Sequence, residues 1–63
     1  MISWLCSAPF RNGNQTHAAV RPMNFATENE AYWATVDHCH QWLLDDGKSD
    51  DWRLDGLPTV KAI

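Results

Sequence analysis

A chain of 63 residues with a formal net charge of −3 is expected to form one small domain, residues 1–63, around a thin hydrophobic core. Its hydrophobic share of 44% is too high for a disordered chain, and its five basic residues are scattered rather than arranged in the stripe that a nucleic-acid reader needs. No apolar run approaches the roughly 18 residues of a membrane span, and no secretory signal is visible, so the cytoplasm is the expected compartment.

The first third of the chain is predicted to form a β-hairpin. Alternation over residues 2–8 predicts a strand with Ile2, Trp4 and Cys6 on one face, and Pro9 is expected to end it. The Asn12-Gly13 pair predicts a turn, within a connecting loop of several residues, because these residue types accept positive φ angles. A second strand is expected over residues 16–23. Pro22 cannot donate a ladder hydrogen bond, which favours an edge strand or an early end.

A helix is predicted from Glu28 to about Asp46. Thr27 and Glu30 have the spacing of a capping box, and Gly47 is placed to end the helix in the left-handed conformation. Helical spacing predicts a core-facing stripe of Tyr32, Val36, Cys39 and Leu43, flanked by Trp33, His40 and Leu44. The opposite face carries Glu30, Asp37, Gln41 and Asp45. Trp42 falls outside the stripe, so it is either covered by the C-terminal segment or exposed.

The last part of the chain predicts one or two short strands. Trp52 and Leu54 alternate with polar neighbours, as in a half-buried strand, and residues 59–63 form either a last strand or a loose tail. The expected fold class is therefore α+β: a small antiparallel sheet of three or four strands, packed on one face by a single amphipathic helix. The expected order is β-β-α-β, with a further β if residues 59–63 pair.

The segment Asp37-His38-Cys39-His40 mixes metal-ligand types, but its spacing does not fit a metal site. Residues two apart on a helix point about 200° apart, so His38 and His40 cannot chelate one ion. No metal and no cofactor is expected. Cys6 and Cys39 are expected to be free thiols, although the sequence leaves open whether they meet. Without a Gly-rich phosphate loop or a nucleophile elbow, we expect a non-catalytic protein.

All eight acidic residues lie between residues 28 and 55, so charge is segregated along the chain. One interpretation is a solvated surface that keeps a small protein soluble. The other is an acidic surface that docks on a basic partner, with tryptophan as its apolar anchor. The residues predicted to bind the partner are Glu30, Asp37, Trp42, Asp45, Asp46, Asp50, Asp51 and Trp52.

In size, acidity and lack of catalytic parts, the chain resembles the small proteins that phages and mobile elements use to block host machinery, of which anti-CRISPR proteins are one group. The resemblance is to the whole chain and carries over no residue. It implies an inhibitor that docks on a basic surface of a host protein, such as one that itself binds nucleic acid. The alternative hypothesis is a structural module that forms a homodimer through a sheet edge or a Trp-rich face.

Overall fold

The computed structural model describes residues 1–63 as a four-stranded antiparallel sheet with one helix packed on one face. This is the predicted α+β fold, and the C-terminal residues do form the fourth strand. The elements are β1 (Ile2–Asn12), β2 (Gln15–Phe25), α1 (Glu28–Asp45), β3 (Arg53–Leu54) and β4 (Thr59–Ala62). Strand β1 lies at the centre, with β2 along one side and both β3 and β4 along the other.

The hairpin is longer and its loop tighter than the sequence predicts. Asn12 pairs with Gln15, which leaves a loop of two residues, Gly13 and Asn14, instead of several. Gly13 has a φ of 62° and no other residue of the turn has a positive φ, the pattern of a type II′ turn with glycine at its first central position. A type II′ turn matches the twist of the two strands, so pairing continues without a break to the Ile2–Phe25 pair.

Pro9 does not end β1, contrary to the prediction. The backbone nitrogen and carbonyl of one strand residue point to the same side, and the carbonyl of Pro9 accepts from the backbone N–H of Asp55 at 2.8 Å. The proline nitrogen therefore points toward the gap between β3 and β4, where no ladder hydrogen bond is lost. Pro22 lies opposite Leu5 in β2, and the same alternation turns its nitrogen toward the open edge of the sheet.

The ends of α1 are where the sequence predicts them. Thr27 is the N-cap, and its hydroxyl accepts from the backbone N–H of Glu30 at 3.2 Å. At the other end, the N–H of Gly47 donates to Leu44 and that of Lys48 donates to Leu43. This pair of bonds is a Schellman motif, and it requires the left-handed conformation that Gly47 adopts at a φ of 85°.

The face that α1 presents to the sheet differs from the predicted stripe. The buried side chains are Ala31, Thr35, Cys39, Trp42 and Leu43, whereas Val36 is exposed and Tyr32 is only half-buried. Ala31 and Thr35 are small, which lets the first half of the helix lie close to the sheet. The hydroxyl of Thr35 is satisfied within the helix, since it donates to the carbonyl of Ala31 at 2.7 Å. The buried face therefore combines small side chains in the first half of the helix with Trp42 and Leu43 in the second half.

The core lies between α1 and the even-numbered side chains of β1. Trp4, Cys6, Ala8 and Phe10 all point to the helix, as the predicted alternation requires. Ala19 of β2 and Trp52, which precedes β3, complete the cluster. Cys6 and Cys39 are both buried free thiols. No helix of this fold combines the length and the apolar composition needed to cross a membrane.

Candidate protein-binding surface

Three of the four tryptophans are buried, and the fourth is the most exposed large aromatic side chain of the domain. Trp4, Trp42 and Trp52 retain only 7–8% of their accessible surface, whereas Trp33 retains 56%. The prediction that Trp42 and Trp52 anchor a partner is therefore wrong, because both side chains are buried. Trp42 faces the sheet, and the residues after α1 bring Trp52 into the core. No Trp-rich face remains on the surface for self-association.

Trp33 lies on the outward face of α1 in line with two other exposed apolar side chains. On a helix with 100° per residue, Val36 and Leu44 lie within about 60° of Trp33. Both side chains are exposed, so the outward face carries an apolar strip along most of the helix. We call Trp33, Val36 and Leu44 the Trp33 strip. The sequence pattern predicts Val36 on the core side and Trp33 and Leu44 only on its flank, whereas burial of Ala31 and Thr35 rotates all three toward water.

The Trp33 ring is held against its neighbour on the helix. Its centroid lies 5.2 Å from that of Tyr32, with the two rings nearly perpendicular at 86°. This edge-to-face arrangement is favourable for aromatic rings and restricts the rotamers that Trp33 samples. An aromatic side chain that is partly ordered before binding loses less entropy when it enters a partner's pocket. Trp33 is therefore suited to act as an anchor.

Carboxylates flank the Trp33 strip along one side. Glu30, Asp37 and Asp45 are all exposed and lie about 40–120° around the helix from Trp33. Asp45 accepts a hydrogen bond from the side chain of Gln41 at 3.0 Å, which leaves its charge uncompensated. The predicted acidic face of α1 is thus present, and it borders exposed apolar surface rather than standing alone.

The loop after α1 extends this acidic surface. Asp50 is 82% exposed, and its carboxylate lies 3.1 Å from Nε2 of His40 on the helix. Asp51 is also exposed. His40 lies between Val36 and Leu44 along the strip, so its contact with Asp50 places the loop carboxylates next to the apolar side chains. This exposed His40–Asp50 pair contributes little to stability, because water and salt screen it.

Asp46 differs from the other carboxylates because its side chain contacts β2, and its predicted role in partner binding stays a prediction. Its oxygens lie 2.8 Å from Nη2 of Arg21 and 2.8 Å from Nε2 of His17, both on β2. The hydrogen bond from His17, followed by that from Arg21, holds the pKa of Asp46 below its ordinary value. Arg21 also donates to the carbonyl of Trp42 at 3.2 Å. Asp46 therefore ties the end of α1 to β2.

The open edge of β2 is partly protected against pairing with another strand. Pro22 lacks an N–H in the middle of this edge. The guanidinium of Arg21 donates a hydrogen bond to the carbonyl of Val20 at 2.8 Å, so this carbonyl is already bonded. The remaining half of the edge, near Thr16 and Ala18, carries no charged side chain. On this edge, the predicted dimerisation through a sheet edge is restricted to that half, and it stays a prediction.

The polar side chains of Asp37, His38, Cys39 and His40 do not converge. Cys39 is buried in the core, and burial raises the pKa of its thiol. His40 contacts Asp50, whereas His38 lies about 160° away on the other side of the helix. No group of three or more His, Cys, Asp or Glu side chains is arranged to hold a metal ion, and no pocket opens at the surface.

No family model, curated protein or solved structure matches the chain.

Proposed function

We propose that the domain is a non-catalytic binding protein, and that the outward face of α1 docks in an apolar groove with a basic rim on a host protein. Trp33, Val36 and Leu44 enter the groove, and Glu30 and Asp37 face the cations at its rim. Binding of this kind blocks whatever the groove normally holds, which is how a small inhibitor of phage or mobile-element type acts. A groove that receives an acidic segment of nucleic acid or protein fits this chemistry.

One observation carries the proposal: the domain buries three tryptophans and leaves Trp33 in water on a helix face lined with carboxylates. Leaving a large aromatic ring exposed gains nothing for the free domain, since roughly 25 cal/mol per Å² of apolar area is available on burial. Tryptophan is enriched among the residues that contribute most to binding, and amphipathic helices dock in grooves through anchors three, four and seven residues apart. The carboxylates raise the rate of association with a basic partner and make binding selective for it.

The proposal is tested by affinity capture with matched helix variants. The wild-type domain, Trp33→Ala and Asp37→Lys are used as bait in lysate of the producing cell or its host. His38→Ala is the control, because His38 is exposed on the same helix but points about 140° away from Trp33. We expect a partner retained by the wild type and by His38→Ala, and lost by the other two variants.

Affinity for the captured partner is then measured by titration. Truncation of an anchor costs about 2 kcal/mol or more, so Trp33→Ala should weaken binding by about 30-fold or more, and His38→Ala by less than about threefold. Binding should also weaken as salt is raised, because the rim contacts are between charges in water. A partner that binds Trp33→Ala and Asp37→Lys as tightly as the wild type would rule out the helix surface as the docking site.

A further inference from the structure

The face of the sheet that points away from α1 is uncovered. It is formed by the odd-numbered side chains of β1 and by their partners on β2. Leu5 and Val20 are exposed there and lie near the middle, and Pro9 and Ala18 add further apolar surface. This uncovered sheet face is long: the domain measures 37 Å by 19 Å across its two largest dimensions.

The uncovered sheet face is basic, in contrast to the helix surface. Arg11 and Arg53 lie directly opposite each other on β1 and β3, so both point to this face. Lys61 lies opposite Leu5 and joins them. Asp55 is the only carboxylate among them, and it accepts from Nε of Arg11 at 3.1 Å. Arg53 and Lys61 take part in none of the four ion pairs of the domain, and two arginines opposite each other on a sheet repel.

The two broad faces of the domain are therefore complementary to each other. One is a helix surface with an apolar strip and uncompensated carboxylates, and the other is a sheet surface with apolar residues and uncompensated cations. They cannot meet within one copy, because they lie on opposite sides of the same sheet. A helix of 18 residues is about 27 Å long, which fits within the 37 Å length of the domain.

We propose that copies of this domain stack head to tail, with the α1 surface of one copy on the uncovered sheet face of the next. This inference rests on the proposed function, since it assigns a second copy as a partner for the same helix surface. The sheet is then covered on both sides, as is usual when a sheet face carries exposed apolar side chains. Asp37 and Asp45 of one copy face Arg53 and Lys61 of its neighbour.

The faces are of a size that suits a specific contact. The two largest dimensions of the domain enclose about 700 Å², comparable to the roughly 800 Å² that each partner buries in a standard interface. We expect stacking that depends on protein concentration, with a dissociation constant below about 1 mM. Because the two contacting surfaces differ, the contact is heterologous, and it adds copies one after another rather than stopping at a dimer.

The test is a charge exchange measured by sedimentation velocity in low salt. One variant, Arg53→Glu with Lys61→Glu, has an acidic sheet face; the other, Asp37→Lys with Asp45→Lys, has a basic helix surface. Each alone presents like charges on the two faces and should stay at the monomer mass of 7.2 kDa at concentrations where the wild type assembles. An equimolar mixture should assemble, because each variant then offers a complementary face to the other.

Far-UV circular dichroism confirms that both variants fold. If either fails to fold, the neutral changes Arg53→Gln with Lys61→Gln, and Asp37→Asn with Asp45→Asn, replace them, and each should require at least about tenfold more protein for the same assembly. A wild type that stays monomeric up to about 1 mM overturns the stacking proposal, as does assembly of either charge-reversed variant alone or a mixture that stays monomeric. None of these outcomes contradicts the proposed function, which is tested separately by whether Trp33→Ala loses the captured host protein.

Discussion

Two adjacent leucines of α1 give a direct test of how the helix is rotated on the sheet. Leu43 is fully buried, whereas Leu44 is 37% exposed on the outward face. Replacing either leucine with alanine changes the helix propensity equally, so the difference between the two variants reports burial alone. Leu43→Ala removes buried side-chain atoms and leaves a cavity, at an expected cost of about 3 kcal/mol. Leu44→Ala should cost about 0.5 kcal/mol or less.

The expected cost of Leu43→Ala is large for a domain of this size. At roughly 0.05–0.15 kcal/mol per residue, 63 residues are expected to have a free energy of unfolding of about 3–9 kcal/mol. Leu43→Ala therefore removes a third or more of the total, which corresponds to a fall in Tm of about 12–24 °C. The assay is urea unfolding at 25 °C, followed by tryptophan fluorescence and by far-UV circular dichroism. Equal destabilisation by the two variants, or a larger effect of Leu44→Ala, would refute the described rotation of α1.

Three further predictions concern the helix end and the core. Gly47→Ala should lower the free energy of unfolding by about 1 kcal/mol, measured by urea unfolding, because alanine is strained at a φ of 85°. The pKa of Asp46 is lowered in the folded state, so its contribution to stability is present above the ordinary Asp value of about 3.9 and is lost as pH falls through the lowered value. Urea midpoints from pH 6 to about pH 2 should therefore fall less steeply for Asp46→Asn than for the wild type, and equal slopes for the two proteins would contradict the described contacts of Asp46. Cys6 and Cys39 should react with a thiol reagent only when urea unfolds the domain, and rapid labelling of either in the native state would contradict their burial.

Local signals in the sequence determined the elements of this fold. Gly13 specifies a turn, Thr27 and Gly47 specify the ends of a helix, and the alternation in the first strand specifies which side chains point to the core. Each of these features depends on residues within one turn or one strand, where backbone preference acts directly. The class of the fold, and the acidic composition of the helix, follow from them.

The tertiary structure alone decided which tryptophan is exposed. A helical pattern predicts a core-facing stripe through Tyr32 and Val36, but the side of α1 that faces the sheet carries small Ala31 and Thr35 in its first half and Trp42 and Leu43 in its second half. Its C-terminal end is tied to β2 through Asp46. Burial of Trp42 and exposure of Trp33 result from this rotation.

The two opposite faces on which the functional proposals depend were likewise set by pairing across the chain. Arg11, Arg53 and Lys61 are far apart in sequence, and only the register of β3 and β4 on β1 brings them to one side of the sheet. Strand register is a long-range property that no local pattern in two- and four-residue strands specifies. Composition therefore predicted an acidic protein, whereas tertiary pairing produced a domain with one acidic and one basic face.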